Sequence, residues 1–157
     1  MAEINDPEER LAQLKISLPN PPAPGGNYVS IKQAGSIVFL SGVISTSADG
    51  VITGTAGGTR TVEEGYAAAR ACALTQLAVL HRELGNLDRI AEVLTVNGYV
   101  NAVQGFPDSP AIINGASDLL VEVLGDVGRH VRAAVGVSGL PRNALVELQM
   151  TVRLKDS

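Results

Sequence analysis

The sequence predicts an α+β domain in which one β-sheet carries two helices on one of its faces. Three observations carry this expectation. Two long stretches, residues 61–85 and 108–125, place apolar residues at helical spacing between start and stop signals. Around them, segments near 27–34, 37–40, 90–101, 132–138 and 145–154 alternate or run apolar as strands do. Their order is strand, strand, a short strand, helix, strand, helix, strand, strand, which gives one sheet two helices to cover one face.

In chain order, residues 6–14 read as a short helix. Asp6 can cap it, Pro7 suits its first turn, and Leu11 and Leu14 would dock it. Residues 18–26 (LPNPPAPGG) cannot form a regular helix and make a connector, so 1–26 is an extension of a single domain spanning 1–157. Residues 27–34 and 37–40 form a hairpin turned at Ala34-Gly35-Ser36. The continuous run Ile37-Val38-Phe39-Leu40 suits a strand covered on both sides. Residues 47–58 read as a loop with a short strand near 51–53. Thr61-Val62-Glu63-Glu64 matches a capping box, and Gly85 the left-handed stop of the long helix. In the strand at 90–101, Gly98 suggests a bulge. Asp108-Ser109-Pro110 opens the second long helix and Gly125 ends it.

Composition narrows the function. A chain of 157 residues buries about two thirds of its unfolded surface, so it folds without a metal or disulfide. The lone cysteine, Cys72, sits in an alanine-rich helix, where a buried thiol acts as a small hydrophobe. A net charge of −4, a pI of about 5.1 and scattered basic residues give no face for tracking phosphates. With no Trp, two Phe and three Tyr, base-stacking platforms are absent as well. No apolar run reaches the roughly 20 residues of a membrane span, and the acidic start does not read as a secretory signal, so the cytosol is the expected location. His81, on the long helix, reads as a surface or packing residue, and His130 has no Cys or carboxylate at metal-ligand spacing. The glycines at 54–58 lack the Lys of a phosphate loop, and no nucleophile elbow is present. No cofactor or metal is called for.

The stretch Arg132–Glu147, RAAVGVSGLPRNALVE, carries the chemistry. In its second strand Val146, Leu148, Met150, Val152 and Leu154 share a core face, and Leu145, Glu147, Gln149, Thr151 and Arg153 share the other. In its first strand Arg132 lies with the small residues Ala134, Gly136 and Ser138, which leaves room for a ligand. Two readings of Arg132 and Glu147 stand side by side: a salt bridge across a hairpin, or a carboxylate-gripping guanidinium with a catalytic carboxylate. The spacing of Arg132, Leu140-Pro141 and Val146-Glu147 resembles the C-terminal signature of the Rid family. These are the YjgF-like reactive intermediate deaminases, also labelled endoribonuclease L-PSP. His130-Val131-Arg132 and the N-terminal extension resemble its longer-chain branch. Tyr28, Ser41 and Asn114 match further family positions, and the resemblance spans about residues 26–154.

The resemblance implies a chorismate-mutase-like fold with one mixed sheet, and a homotrimer with clefts at its subunit interfaces. It implies a cofactor-independent hydrolase acting on C=N bonds, which converts 2-imino acids or enamines to 2-keto acids and ammonia. Arg132 and Glu147 would be catalytic, and Tyr28, Ser41, Asn114 and Ala134 would bind the substrate, with Tyr28 supplied by a neighbouring subunit. There are departures from the pattern. Asn27 stands where many members have Pro. Ala134 stands where many have Cys, so thiol chemistry at that position is excluded. Val131 replaces the usual Ala. Two alternatives stay open: a non-catalytic trimer that binds small carboxylates, and the endoribonuclease of the family label. The acidic, aromatic-poor chain disfavours the latter. RNA cleavage is therefore expected to be absent from pure protein. Cleavage that copurifies with the protein, falls with salt and disappears in Glu147→Ala would reverse this.

Overall fold

The computed structural model describes residues 6–156, so the outermost ends of the expected 1–157 domain lie outside the described residues. Helix α1 (Pro7–Gln13) is capped as expected, the Asp6 carboxylate accepting from the Glu8 amide at 3.1 Å. Leu11 is buried, whereas Leu14 falls beyond the last turn and is exposed. The hairpin forms from β1 (Ile31–Ala34) and β2 (Ile37–Leu40), turned at Gly35 with φ 61°. Tyr28 precedes β1 rather than lying in it. Its hydroxyl accepts the Gly25 amide at 3.0 Å, which folds the residue back on the connector. The run 37–40 is covered on one side only: Val38 and Leu40 are buried, and Phe39 is 48% exposed. Short β3 (Val43–Ile44) follows, and β4 (Thr46–Ser47) pairs with β5 (Gly50–Val51), in the stretch expected to be a loop with a short strand near 51–53.

Helix α2 (Val62–Leu84) starts on the expected capping box, with reciprocal bonds of 3.1 Å between Thr61 and Glu64, and ends at Gly85 with φ 85°. It leads to β6 (Ile90–Asn101), α3 (Ser109–Leu124), β7 (Val131–Val137) and β8 (Val146–Leu154). The main sheet has the order β1-β2-β8-β6-β7, with β3 also on β8. The pairing of β6 with β7 is parallel, and every other pairing is antiparallel. The sheet is therefore mixed, and α2 and α3 cover one face of it, as expected.

One expectation fails in an informative way. β7 and β8 are not a hairpin, because β6 lies between them. Parallel strands need a long crossover, and α3 supplies it from β6 to β7. The segment after β7 then has to step past β6 to reach β8. It does so through Pro141–Asn143, with Arg142 and Asn143 in the left-handed region at φ 56° and 58°. The strand order also sets the faces. Arg132 pairs with Val96 and Ala134 with Gly98, so Arg132, Ala134 and Gly136 lie on the helix side. Leu145 is buried just before β8, its amide bonded to the Ile52 carbonyl, and exposes nothing on the open face. The open face instead carries Glu147, Gln149, Tyr99 and Asn97, with Val131 at 69% and Val135 at 45% exposed along the β7 edge.

Glycine sets how closely the layers approach. Gly98 is not a bulge, since the register runs through it unbroken and the shifts fall between Ile90 and Glu92 and between Val93 and Thr95. A Cβ there would lie 2.5 Å from Ile113 Cδ1. A Cβ at Gly115 of α3 would drive into the Tyr66 carbonyl of α2. The same helix pair is tied by Tyr66 Oη donating to Asp118 at 2.6 Å and by Arg70 with Glu122 at 3.3 Å. Gly115→Ala is expected to force the helices apart and destabilise the fold by roughly 1–3 kcal/mol or more, read by denaturant unfolding. Gly35→Ala, with no atom within 4 Å of its added Cβ, should cost only the strain of its positive φ.

Candidate functional site

Glu147 stands on the open face between Ile44 of β3 and Tyr99 of β6. Val146 and Leu148 belong to the core face, so the two-residue period sends Glu147 outward. Its carboxylate lies over Gly42, where an added Cβ would come within 3.0 Å of Oε2. It accepts no hydrogen bond from any described residue. Burial pushes its carboxyl above the usual carboxylate range.

This carboxylate lines a cavity of about 540 Å3 together with Tyr28, Ser41, Gly42, Gln76 and Arg142. Two of the expected substrate contacts, Tyr28 and Ser41, are thus gathered around Glu147. Ser41 Oγ donates to the Val29 carbonyl at 2.6 Å, so its lone pairs remain available to a ligand. Tyr28 accepts from Gly25 and keeps its hydroxyl proton to donate. Behind them Gln76, fully buried, donates from Nε2 to the carbonyls of Ser41 at 2.9 Å and Leu148 at 3.0 Å, while its Oε1 has no partner. Cys72 is buried below Glu147. Burial pushes its thiol far up, and the Glu147 charge adds to this, so it stays protonated and inert.

Arg132, Asn114 and Ala134 form a second cluster at the β7 edge. Arg132 Nη1 donates to Ser117 Oγ at 3.1 Å and Nη2 to the Pro110 carbonyl at 3.3 Å. Pro110, Asn114 and Ser117 recur at helical spacing, so the guanidinium lies along the α3 stripe that presents Asn114. Ala134 lies two residues along β7 on the same side, partly buried against the core. Three of the five guanidinium N–H groups stay uncommitted, enough for a bidentate carboxylate.

The two clusters do not meet within one chain. Arg132 pairs with Val96 and Glu147 with Tyr99, on strands that flank β6 and on opposite faces. Two inter-strand spacings and three residues of rise put their Cα atoms about 14 Å apart. This rules out the hairpin salt bridge. Sequence reasoning missed Gln76, Arg142 and Ser117 as neighbours of the site. Gln76 was legible as the one amide among the alanines and leucines of the α2 core stripe. Ser117 follows Asn114 by one helical turn. Arg142 gave no signal, since its place at the cavity follows from the left-handed loop. Among the described residues, no group of three or more His, Cys, Asp or Glu is placed to hold a metal, and no helix is long and apolar enough to cross a membrane.

Comparison with known proteins adds four findings. Residues 8–154 match the YjgF/chorismate mutase-like endoribonuclease family. The chain is similar to protein TCP17 of Trypanosoma cruzi, with 43% identity over 148 residues, covering 93% of this chain and 92% of that protein. It is also similar to the crystal structure of a candidate endoribonuclease from Shewanella oneidensis, with TM-score 0.91 and 34% identity, covering 96% of this chain and all of that one, 100%. RidA from a Psychrobacter species shares the fold, with TM-score 0.60 and 21% identity over 86% of this chain and 94% of that one.

A raised Glu147 pKa means that the fold favours the protonated carboxyl. Its contribution to stability is full below the unfolded pKa and is lost as pH rises through the folded one. Glu147→Gln is therefore expected to raise the thermal midpoint at neutral pH, the gain shrinking to nothing as pH falls below the carboxylate range. Equal midpoints at every pH would contradict the half-buried, unpaired carboxylate.

Proposed function

Since the chain belongs to the YjgF/chorismate mutase-like family, we propose that it hydrolyses 2-imino acids to 2-keto acids and ammonia at sites shared between neighbouring copies. The observation that carries this reading is Glu147: a half-buried carboxylate without a partner, in a cavity, with its pKa raised by burial. Groups of this kind serve as general bases. The required chemistry is modest, because a protonated imine is already electrophilic. Arg132 grips the substrate carboxylate with its planar fork. Glu147 takes a proton from water as the water oxygen bonds to the imine carbon, giving a neutral carbinolamine. It returns that proton to the nitrogen, the C–N bond breaks with its electron pair leaving on ammonia, and the hydroxyl proton passes through Glu147 to that ammonia as the C=O forms. The products are the keto acid and ammonium, and no electron acceptor is involved. Tyr28 donates a hydrogen bond to the adduct, and Asn114 presents its amide beside Arg132.

The separation of the clusters supports assembly. One lies beside β2, β3 and β8 and the other at the opposite edge, on β7. A ring of copies would bring the β7 edge of one against the Glu147 cavity of the next. It would also cover Phe39, Val131 and Val135, which a lone subunit leaves exposed. Three copies is the number that the resemblance to Rid proteins implies. A carboxylate-binding protein without catalysis would use the same clusters and release no ammonia.

Generating 2-iminopropanoate in situ and following keto acid and ammonia formation tests the activity. Arg132→Ala is expected to lose roughly ten- to hundredfold in kcat/KM, the value of a charge-assisted bidentate contact. Arg132→Lys should recover little of it. Light scattering should report a trimer for all three proteins. A stable monomer at micromolar concentration, or full activity in a folded Arg132→Ala, would remove this reading.

A further inference from the structure

Beyond Arg132 itself, an unbroken chain of hydrogen bonds runs from the backbone to the guanidinium. His130 Nδ1 lies 2.7 Å from the Gly128 carbonyl, and its Nε2 lies 2.9 Å from Ser117 Oγ. A carbonyl only accepts, so Nδ1 carries the proton. In the neutral ring Nε2 is then the acceptor, and the Ser117 hydroxyl donates to it. That fixes the direction of the Ser117 proton and turns the oxygen lone pairs toward Arg132 Nη1, at 3.1 Å. Burial holds the imidazole below its usual range. The Gly128 carbonyl opposes this, and the Arg132 charge reinforces it.

The geometry points to Ser117 and His130 as positioning residues that hold the Arg132 guanidinium in the orientation that receives the substrate carboxylate. The inference rests on the carboxylate-binding reading above and deepens it. Neither residue touches the substrate, and both act through Arg132. The chemistry needs such a device. A free arginine at an exposed strand edge samples many rotamers, and ordering it on binding weakens capture. Here Ser117 and the Pro110 carbonyl hold one N–H on each Nη, and the other three donors are uncommitted.

The test uses the whole protein and 2-oxobutanoate as the carboxylate probe. Ser117→Ala removes the acceptor from Arg132. His130→Asn keeps a donor for the Gly128 carbonyl and removes the acceptor from Ser117. Ser117→Ala is expected to weaken 2-oxobutanoate roughly three- to tenfold and to raise KM for the imine with kcat nearly unchanged. His130→Asn should show a smaller effect of the same kind. The double variant should match Ser117→Ala alone, because the two residues form one chain. In NMR spectra the Arg132 side-chain N–H signals, identified by their loss in Arg132→Lys, should be sharp in the wild type and averaged in Ser117→Ala. Additive losses, unchanged binding, or an equally ordered guanidinium in folded Ser117→Ala would overturn the inference. If Arg132→Ala weakens 2-oxobutanoate while Ser117→Ala does not, only the positioning role fails. If Arg132→Ala itself binds normally, the functional reading falls with it.

Discussion

Strand β6 is the axis on which the molecule is registered. Its 12 residues pair in parallel with β7 on one side and antiparallel with β8 on the other. Parallel pairing obliges α3 to cross over the sheet, and α3 then fixes where α2 can lie. The distance between the layers is set where Gly98 meets Ile113 and Gly115 meets the Tyr66 carbonyl. The same strand separates Arg132 from Glu147. A chain whose signature residues are fifteen positions apart would bring them together in a hairpin. This one holds them on opposite faces, each within a cluster of its own.

Each cluster is adapted to a different demand. No described residue donates to Glu147: Gly42 gives the carboxylate space, Ser41 turns its proton to the Val29 carbonyl, and Gln76 points both amide protons at backbone oxygens. A carboxylate so treated keeps its basicity. Around Arg132 the protein supplies acceptors, the Ser117 hydroxyl and the Pro110 carbonyl, which order the cation without neutralising it.

Much of the fold was legible because its signals are local. The capping box at Thr61, the stop at Gly85, the bounds of 90–101 and the two-residue period through 146–154 all follow from neighbouring residues. What was not legible depends on residues far apart in sequence. That β6 enters between β7 and β8 is invisible to periodicity, so which side of the sheet Arg132 and Ala134 occupy follows only from the strand order. Phe39 read as covered because the run 37–40 is apolar throughout, whereas only the side of Val38 and Leu40 is packed. For the site, Glu147, Tyr28 and Ser41 were named and do share a cavity, and Arg132 of β7 is bonded along the α3 stripe that carries Asn114. Their division into two groups required the strand order.

The position of β8 has a consequence for synthesis. It is bonded to β2 and β3 on one side and to β6 on the other, yet it comes after every other strand in the chain. The sheet cannot close until residue 154 has been made. Until then β2 and β6 present bare hydrogen-bonding edges, and the buried faces of α2 and α3 have no central strand beneath them. Contacts between β2 and β8 join residues more than a hundred positions apart, which delays their formation further. The nascent chain therefore passes through a stage with two open edges, the kind of intermediate that is prone to pair with other chains.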